Sequence, residues 1–286
     1  MTRMPNKKAD ILNGIPRDQH YAESEGVGII RSRRLEDEPG VTHGFTTRIG
    51  GVSKPPFDTL NLGTSRDEPM SNILENYRLL AAAYGLEYGE LALVRHEHGD
   101  VILRIDRSHG GRGVALEPLD FSDGFVTNDP GVTLMTCHAD CSAFFVYDPR
   151  TRSIGLAHAG WKGMFKRIGQ KLCKRLADEF GADPRDMIAV IGPCICEKCF
   201  EVERELAESF AVEFDCPDIF SVRAEKPDKG YVSLRAAAVI QLLDAGVPKE
   251  NISIMDLCTV EEKKLFYSYR RDGKGTGSMA AFLKLI

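Results

Sequence analysis

A cysteine and a histidine stand at corresponding ends of two apolar runs, where their side chains can do chemistry together. Cys141 precedes SAFFVYD, and His158 follows SIGLA. The DPRT sequence at 148–151 predicts a two-residue type I turn between the runs, with Asp148 facing Thr151. Counting outward from this turn places Cys141 directly across from His158, with Cβ atoms about 4.5–5.5 Å apart. A bulged loop would slip the register by one residue and leave the two side chains as neighbours.

His98 is the candidate third member of this group. It lies in RHEHGD, between strands predicted at 91–95 and 101–105. Two histidines and one cysteine leave the fourth tetrahedral position of Zn²⁺ open, which is typical of a catalytic site. His96 stands two residues earlier and is predicted to point the same way, so it competes as a ligand. The alternative is a core cysteine with hydrogen-bonded histidines, because the three residues match no short metal motif.

A second group of cysteines lies in the sequence CICEKC. Cys194, Cys196 and Cys199 have the spacing of half a structural zinc site, with Cys216 or Cys173 as the candidate fourth ligand. No second CxxC or HxxxH half follows at the spacing of a zinc finger. Buried core cysteines therefore remain the alternative explanation.

A metal-free interpretation uses the same residues as the first site. Cys141 would be a nucleophile that His158 deprotonates, which would make the protein a cysteine hydrolase. A helix predicted over 161–180 follows His158, and its N-terminal dipole would favour negative charge near the thiol. Stoichiometric zinc in the purified protein would separate this hypothesis from the metal site.

Composition indicates an ordinary soluble protein and excludes several classes of partner. The chain has 286 residues, of which 43% are hydrophobic and 28% charged, and a net charge of −5. This charge argues against nucleic acid as the main partner. The first 25 residues show no signal-peptide region, and no membrane span is predicted. Eight cysteines fit a reducing compartment better than a disulfide framework, so we expect a cytoplasmic protein.

The predicted elements must position these residues in a mixed α/β or α+β fold. Strands and helices interleave, and hairpins are too frequent for a purely parallel sheet. We expect mixed sheets covered by helices. Residues 1–25 are predicted to be loosely ordered, and residues 26–286 to form a single catalytic domain.

A series of short motifs carries a resemblance to a known family. In order they are TRIGGVS (47–53), NLG (61–63), HGD (98–100), SDGFVT (122–127), HADC (138–141), HAGWKG (158–163), IGP (191–193), CFEV (199–202) and YSYRRDG (267–273). Together they resemble the YfiH/YlmD family, also called multicopper polyphenol oxidase or laccase-like, purine nucleoside phosphorylase or peptidoglycan editing factor. The combination of motifs is specific for this family, although each motif alone is not.

The resemblance implies a fold and a metal site. The fold would be a layered α/β/β/α sandwich of the cysteine hydrolase-like type. The site would bind zinc through His98, Cys141 and His158, the same three residues that spacing nominates. The chain departs from the family pattern at His96 and Glu97, at Cys194 and Cys196, and in the SHGGRG loop at 108–113.

The resemblance also implies the activity and its small-molecule partners. The family's reactions are phosphorolysis of adenosine, inosine and S-methyl-5'-thioadenosine, with hydrolytic deamination of adenosine as a second reaction. Asp140 is the candidate proton carrier beside the metal. Arg48, Lys162 and Arg270 are the candidate phosphate ligands, although each is equally well explained as a solvated surface residue.

Other functions use the same residues. Seven histidines are few for an assembly of several copper ions, so four-copper laccase chemistry is not expected. Cu²⁺ at His98, Cys141 and His158 could still oxidise phenols weakly, because Cu²⁺ outcompetes Zn²⁺ at such ligands. A metal-free Cys/His hydrolase that edits cell-wall precursors and a metal-stabilised binding protein are the further alternatives.

Overall fold

The computed structural model describes residues 7–64 and 67–286. Its α-helices are α1 Lys7–Leu12, α2 Arg33–Glu36, α3 Met70–Ala83, α4 Trp161–Phe165, α5 Ile168–Phe180, α6 Arg204–Glu213, α7 Leu234–Asp244 and α8 Tyr269–Asp272. Its strands are β1 His20–Ser24, β2 Val27–Arg31, β3 Val41–Thr46, β4 Leu91–Leu93, β5 Ile102–Arg104, β6 Gly124–Thr127, β7 Thr133–His138, β8 Ser142–Asp148, β9 Ser153–Ala159, β10 Ile188–Ile191, β11 Glu201–Glu203, β12 Phe220–Arg223, β13 Lys226–Val232, β14 Ile252–Ile254 and β15 Met279–Leu285.

Two six-stranded mixed sheets form the centre of the fold. The first has the order β1-β2-β3-β15-β7-β4 and the second the order β14-β10-β8-β9-β6-β5. Most neighbours are antiparallel, while β4 with β7, β5 with β6 and β10 with β14 are parallel. A separate three-stranded sheet has the order β11-β13-β12. The predicted mixed α/β class is therefore confirmed.

Successive side chains along the central strands enter different cores, which produces the layers that the resemblance implied. On β8, Phe145 faces a core shared by the two sheets, whereas Phe144 faces a second core that also holds Leu172 of α5. A third core places Tyr77 of α3 against Phe282 of β15. Helices thus cover the outer face of each sheet, since successive strand side chains point to opposite faces.

The hairpin formed by β8 and β9 corrects the predicted register. Asp148 pairs with Ser153, not Thr151, and Ala143 rather than Cys141 lies across from His158. The connection contains four residues, and Arg152 within it has a positive φ of 48°. Because residues two apart share a strand face, Cys141 remains a diagonal neighbour of His158.

Cys141 itself lies outside the two strands that flank it. β7 ends at His138 in the first sheet, and β8 begins at Ser142 in the second. Asp140 takes a positive φ of 87° between them. Cys141 therefore lies in a short crossing between the sheets.

The helix predicted over 161–180 is divided into α4 and α5. Arg167 separates them with left-handed backbone angles, φ 62° and ψ 44°. Its guanidinium is fixed by Glu213 at 2.6 Å and Asp244 at 2.7 Å. These tertiary ion pairs and the left-handed residue end α4 after five residues.

The N-terminal segment is more regular than predicted. Residues 7–12 form α1, and β1 pairs antiparallel with β2. The amide of Asp18 donates to the Ile254 carbonyl at 2.9 Å. Within the segment expected to be loosely ordered over 1–25, residues 7–25 contain α1 and β1, and residues 1–6 lie outside the described residues. Within 7–64 and 67–286, every helix is too short or too polar to cross a bilayer.

Candidate metal centre

Three sequence-predicted ligands meet at one end of the sheets. His98, Cys141 and His158 each offer one ligand atom, and these atoms lie within 4.8 Å of one another. His98 comes from the connection between β4 and β5, Cys141 from the crossing between β7 and β8, and His158 from β9. His158 is buried, Cys141 partly buried and His98 exposed. The three ligands are therefore accessible from the side on which His98 lies.

Asp123, the residue before β6, positions both histidines. Its Oδ1 atom lies 3.0 Å from His158 Nδ1 and accepts the His98 amide at 3.1 Å. Oδ2 accepts the Gly99 amide at 2.6 Å. A carboxylate that accepts from Nδ1–H leaves His158 Nε2 free to bind a metal, which is the usual arrangement behind a ligating histidine. Sequence reasoning missed this role of Asp123. The only sign of it in the sequence is the SDGFVT motif, which contains Asp123.

Cys141 and His158 form an electrostatic pair. Burial disfavours the thiolate, but the charge of His158 and hydrogen bonds from His158 and His98 outweigh it and lower the pKa of Cys141 to about 7. Burial likewise disfavours the imidazolium, yet the Cys141 thiolate and Asp123 raise the pKa of His158 to about 9. The thiolate needed for metal binding or nucleophilic attack is therefore stabilised near neutral pH.

The remaining histidines nearby are not part of the ligand group. His96 and His98 both reach this end of the sheets, with ring centroids 5.6 Å apart and ring planes at 80°, but His96 is not in the ligand group. His96 stacks on His158 with centroids 4.4 Å apart. His138 lies behind the site, where burial lowers its pKa well below the ordinary value. Its Nδ1 lies 3.1 Å from the Cys141 carbonyl oxygen.

A cavity of about 570 Å³ opens beside these ligands. Its lining includes two aromatic side chains at the surface, Trp161, which is 38% exposed, and Tyr269, which is 48% exposed. Phe200 and Leu234 add apolar surface, and Asp140 and Arg270 add charge. A small molecule with a planar ring and an anionic or hydroxyl-bearing part suits this combination of walls.

Asp140 faces the cavity because the chain bends at its positive φ. Its carboxylate accepts the Thr259 hydroxyl and the Arg270 amide, both at 2.6 Å. These contacts give it a positioning role toward Arg270. Its predicted part in proton transfer remains a prediction.

Of the three predicted phosphate ligands, only Arg270 lines the cavity. Its Nη1 donates to the carbonyls of Cys199 at 3.1 Å and Glu201 at 2.9 Å. Lys162 lies over the Trp161 ring at 5.7 Å and is not in the lining. Arg48 also lies outside it. Arg48 pairs with Asp58 at 3.2 Å and stacks over the Tyr267 ring at 4.6 Å.

The second predicted metal site contains a different set of ligands. Cys196 and Cys199 meet Cys258 and Glu261, with ligand atoms within 4.8 Å of one another. The predicted fourth ligands are wrong. Cys216 contacts Asp218 instead, and Cys173 is a buried residue of α5. Cys194 pairs through its backbone with Cys258 and is not in the group.

Comparison with known proteins agrees with the motifs. Residues 42–286 match the model of a family described as multi-copper polyphenol oxidoreductase laccase. Purine nucleoside phosphorylase YlmD of Bacillus subtilis is 33% identical over 245 residues, which cover 85% of this chain and 88% of that protein.

Two solved structures share the fold over nearly their whole length. YlmD from Geobacillus stearothermophilus has a TM-score of 0.85 and 30% identity, covering 94% of this chain and 99% of that one. The hypothetical protein YfiH of Bacillus licheniformis has a TM-score of 0.84 and 29% identity, covering 93% and 99%. The chain therefore belongs to the multi-copper polyphenol oxidoreductase laccase family, which is the YfiH/YlmD family that its motifs predict.

Proposed function

We propose that this protein is a zinc-dependent purine nucleoside phosphorylase acting on adenosine, inosine and S-methyl-5'-thioadenosine in the cytoplasm. The observation that carries the proposal is the convergence of His98, Cys141 and His158 beside a cavity of about 570 Å³. The name of the Bacillus subtilis relative supports the same reaction class.

The donor set fits zinc. One sulfur and two imidazoles are ligands that Zn²⁺ prefers, and three protein ligands are typical of catalytic zinc. Asp123 fixes the His158 ring through Nδ1, as carboxylates commonly do behind zinc-bound histidines. When bound, zinc supplies a Lewis acid with one position open to a substrate.

Phosphorolysis breaks the bond between purine N9 and ribose C1′ and joins C1′ to a phosphate oxygen, while the leaving purine takes up a proton. Trp161 and Tyr269 offer exposed aromatic faces on which the purine can stack. Arg270 supplies the positive charge of the cavity wall for phosphate, and Asp140 holds the Arg270 backbone. Lys162 and Arg48 lie outside the lining and are not part of this proposal.

The same site supports deamination of adenosine as a second reaction. Water adds at C6 of adenine, ammonia leaves, and inosine is the product. A proton must move to the leaving amine, and Asp140 is the proposed carrier because it is an acidic residue that lines the cavity. Asp140 would have to release the Thr259 or Arg270 hydrogen bond to do so.

Product analysis tests the proposal. The protein is incubated with inosine and with adenosine, each with and without phosphate, and its zinc content is measured. We expect free purine base and ribose 1-phosphate only when phosphate is present, and inosine from adenosine in either buffer. If zinc-loaded protein forms none of these products, the proposal is overturned.

A metal-free Cys/His hydrolase that edits cell-wall precursors is the second candidate, favoured by the Cys141–His158 pair described above. The Cys141→Ala variant separates the two. We expect it to lose both zinc at this site and turnover, by at least about 100-fold, whereas full zinc content with lost turnover would support the thiol nucleophile. Cys173→Ala removes a buried thiol from the core-facing side of α5 and serves as the control.

A laccase-like oxidase is favoured only by the family description. Three of the seven histidines serve elsewhere: His20 pairs with Glu36, His43 accepts the Ser32 amide, and His109 contacts Asp106. We expect Cu²⁺ bound by His98, Cys141 and His158 to oxidise phenols weakly, with dissolved O₂ as the electron acceptor. Phenol oxidation that exceeds nucleoside turnover would favour the oxidase.

A further inference from the structure

We propose that Cys196, Cys199, Cys258 and Glu261 form a second metal site, which is structural and binds Zn²⁺. Three sulfurs and one carboxylate oxygen lie within 4.8 Å of one another. Four protein ligands close a tetrahedron, whereas the first group supplies three. This inference does not depend on the activity proposed above.

Two tight turns present the four ligands in pairs. The Cys199 amide donates to the Cys196 carbonyl at 3.0 Å, and the Glu262 amide donates to the Cys258 carbonyl at 2.9 Å. Each turn therefore places ligands at its first and fourth positions, CxxC in one and CxxE in the other. Paired short turns of this kind are common in structural zinc sites.

Backbone contacts hold the two turns side by side. The Cys194 amide donates to Leu257 O, and the Thr259 amide donates to Cys194 O, both at 3.3 Å. The Cys196 amide also points at Cys258 Sγ, 3.4 Å away. An amide donor of this kind stabilises a thiolate ligand. The backbone contacts of the two turns thus bring the four ligands together.

Two arginines lie beside the cluster and offset part of its charge, although Arg235 also pairs with Asp256 and Arg271 with Asp272. Three thiolates and a carboxylate around Zn²⁺ would leave a net negative charge. Arg235, only 8% exposed, donates to Leu257 O at 2.8 Å, next to Cys258. Arg271 donates to Thr259 O at 3.2 Å and to Val260 O at 3.1 Å, within the second turn. These cations make an anionic metal cluster electrostatically acceptable.

The site would stabilise one wall of the cavity. Arg270 is bound to the first turn through Cys199 O, and Asp140 is bound to the second through Thr259. A metal joining the turns would therefore fix the two charged residues that line the cavity. All eight cysteines are free thiols in the structure, so no disulfide competes for these sulfurs.

Metal analysis of matched variants tests the proposal. We expect Cys196→Ser/Cys199→Ser to contain one zinc per chain fewer than the parent, and Cys216→Ser to match the parent. Cys216 is a suitable control because it is a buried cysteine outside the cluster whose contact with Asp218 serine can keep. Equal zinc in the double variant and the parent would overturn the proposal.

Cobalt binding provides a readout that does not depend on folding of the double variant. The Cys141→Ala chain has lost the sulfur of the first site, so intense sulfur-to-cobalt charge transfer in this variant must come from the cysteine cluster. We expect one Co²⁺ per chain with an absorption strength typical of several thiolates, displaced by Zn²⁺. Absence of this band, or a Cys196–Cys199 disulfide in protein purified without reductant, would overturn the second site and leave the first untouched.

Discussion

At the scale of single residues, Asp123 links the two histidine ligands through one carboxylate. One oxygen faces His158 Nδ1 and the His98 amide, and the other accepts the Gly99 amide. We predict that Asp123→Asn lowers metal affinity and kcat/KM by about 10- to 100-fold, because the neutral amide keeps the shape but loses the charge behind His158. Metal titration and steady-state kinetics check this.

Asp148→Asn is the matched control for this substitution. Asp148 is also fully buried, and its carboxylate accepts the Arg150 amide at 3.0 Å and the Thr151 hydroxyl at 2.7 Å, in the turn at the other end of the hairpin. It should change stability without changing metal affinity. Equal metal affinity for Asp123→Asn and the parent would contradict the role assigned to Asp123.

The second residue-scale prediction concerns the pH dependence of Cys141. In protein stripped of metal by a chelator, the rate at which Cys141 is alkylated should rise as pH increases through about 7, because the Cys141 thiol loses its proton there. An ordinary cysteine would show this rise near pH 8.5, as about 8.5 is its unperturbed pKa. Cys199 does not interfere, because burial and the neighbouring thiols raise its pKa to about 12.

Iodoacetamide labelling followed by peptide mapping measures this midpoint. Cys141→Ser should remove the alkylation that has this midpoint. Added zinc should suppress the same alkylation in the parent, because a metal-bound sulfur is shielded. A midpoint at or above 8.5 in the stripped parent would show that His158 does not stabilise the thiolate.

At the scale of elements, the β9–α4 junction requires glycine for a steric reason. Gly160 has φ −67° and ψ 168°, which any residue can adopt, so its backbone angles do not explain it. A Cβ there would lie 2.8 Å from His98 Cδ2 and 3.4 Å from Cys141 Sγ. The HAGWKG motif thus brings the backbone of the junction directly against two ligands.

We predict that Gly160→Ala displaces His98 and lowers kcat/KM by about 100-fold, because misplacement of a catalytic group by about 1 Å has this order of effect. Metal affinity should fall while the far-ultraviolet circular dichroism stays unchanged. Gly89→Ala is the control, since its Cβ would meet nothing within 4 Å. Parental activity in Gly160→Ala would contradict the proposed crowding.

Sequence reasoning succeeded for elements whose structure depends on the local hydrophobic pattern. It failed for elements whose structure depends on tertiary contacts. The apolar runs of β8, β9 and β10 are visible as strands because both their faces are buried. The predicted register was wrong by two residues because Arg152 extends the turn. Arg152 has a positive φ, and the sequence has no glycine there to indicate it. The break between α4 and α5 depends on Arg167 contacts with residues far along the chain.

At the scale of the whole molecule, two of the three ligands lie where the chain passes from one sheet to the other. β4 and β7 belong to the first sheet, and β5 and β8, which follow them, belong to the second. His98 and Cys141 lie in these two connections. The motifs nominate the ligands, but their spacing in the sequence does not reveal this crossing, because sheet membership depends on long-range pairing.

This placement predicts that metal binding at the first site stabilises the association of the two sheets. A ligand that binds only the folded state at 1,000 times its Kd adds about 4.1 kcal/mol to the free energy of unfolding. Zinc should therefore raise the melting temperature of the Cys196→Ser/Cys199→Ser variant by at least several degrees, since that variant keeps only the first site. Adding Cys141→Ala should abolish the rise, whereas adding Cys173→Ala should lower the melting temperature with and without zinc and preserve the difference. If zinc has the same effect with and without Cys141, the ion that stabilises the fold is bound elsewhere, and the two sheets are held together by their shared apolar core alone.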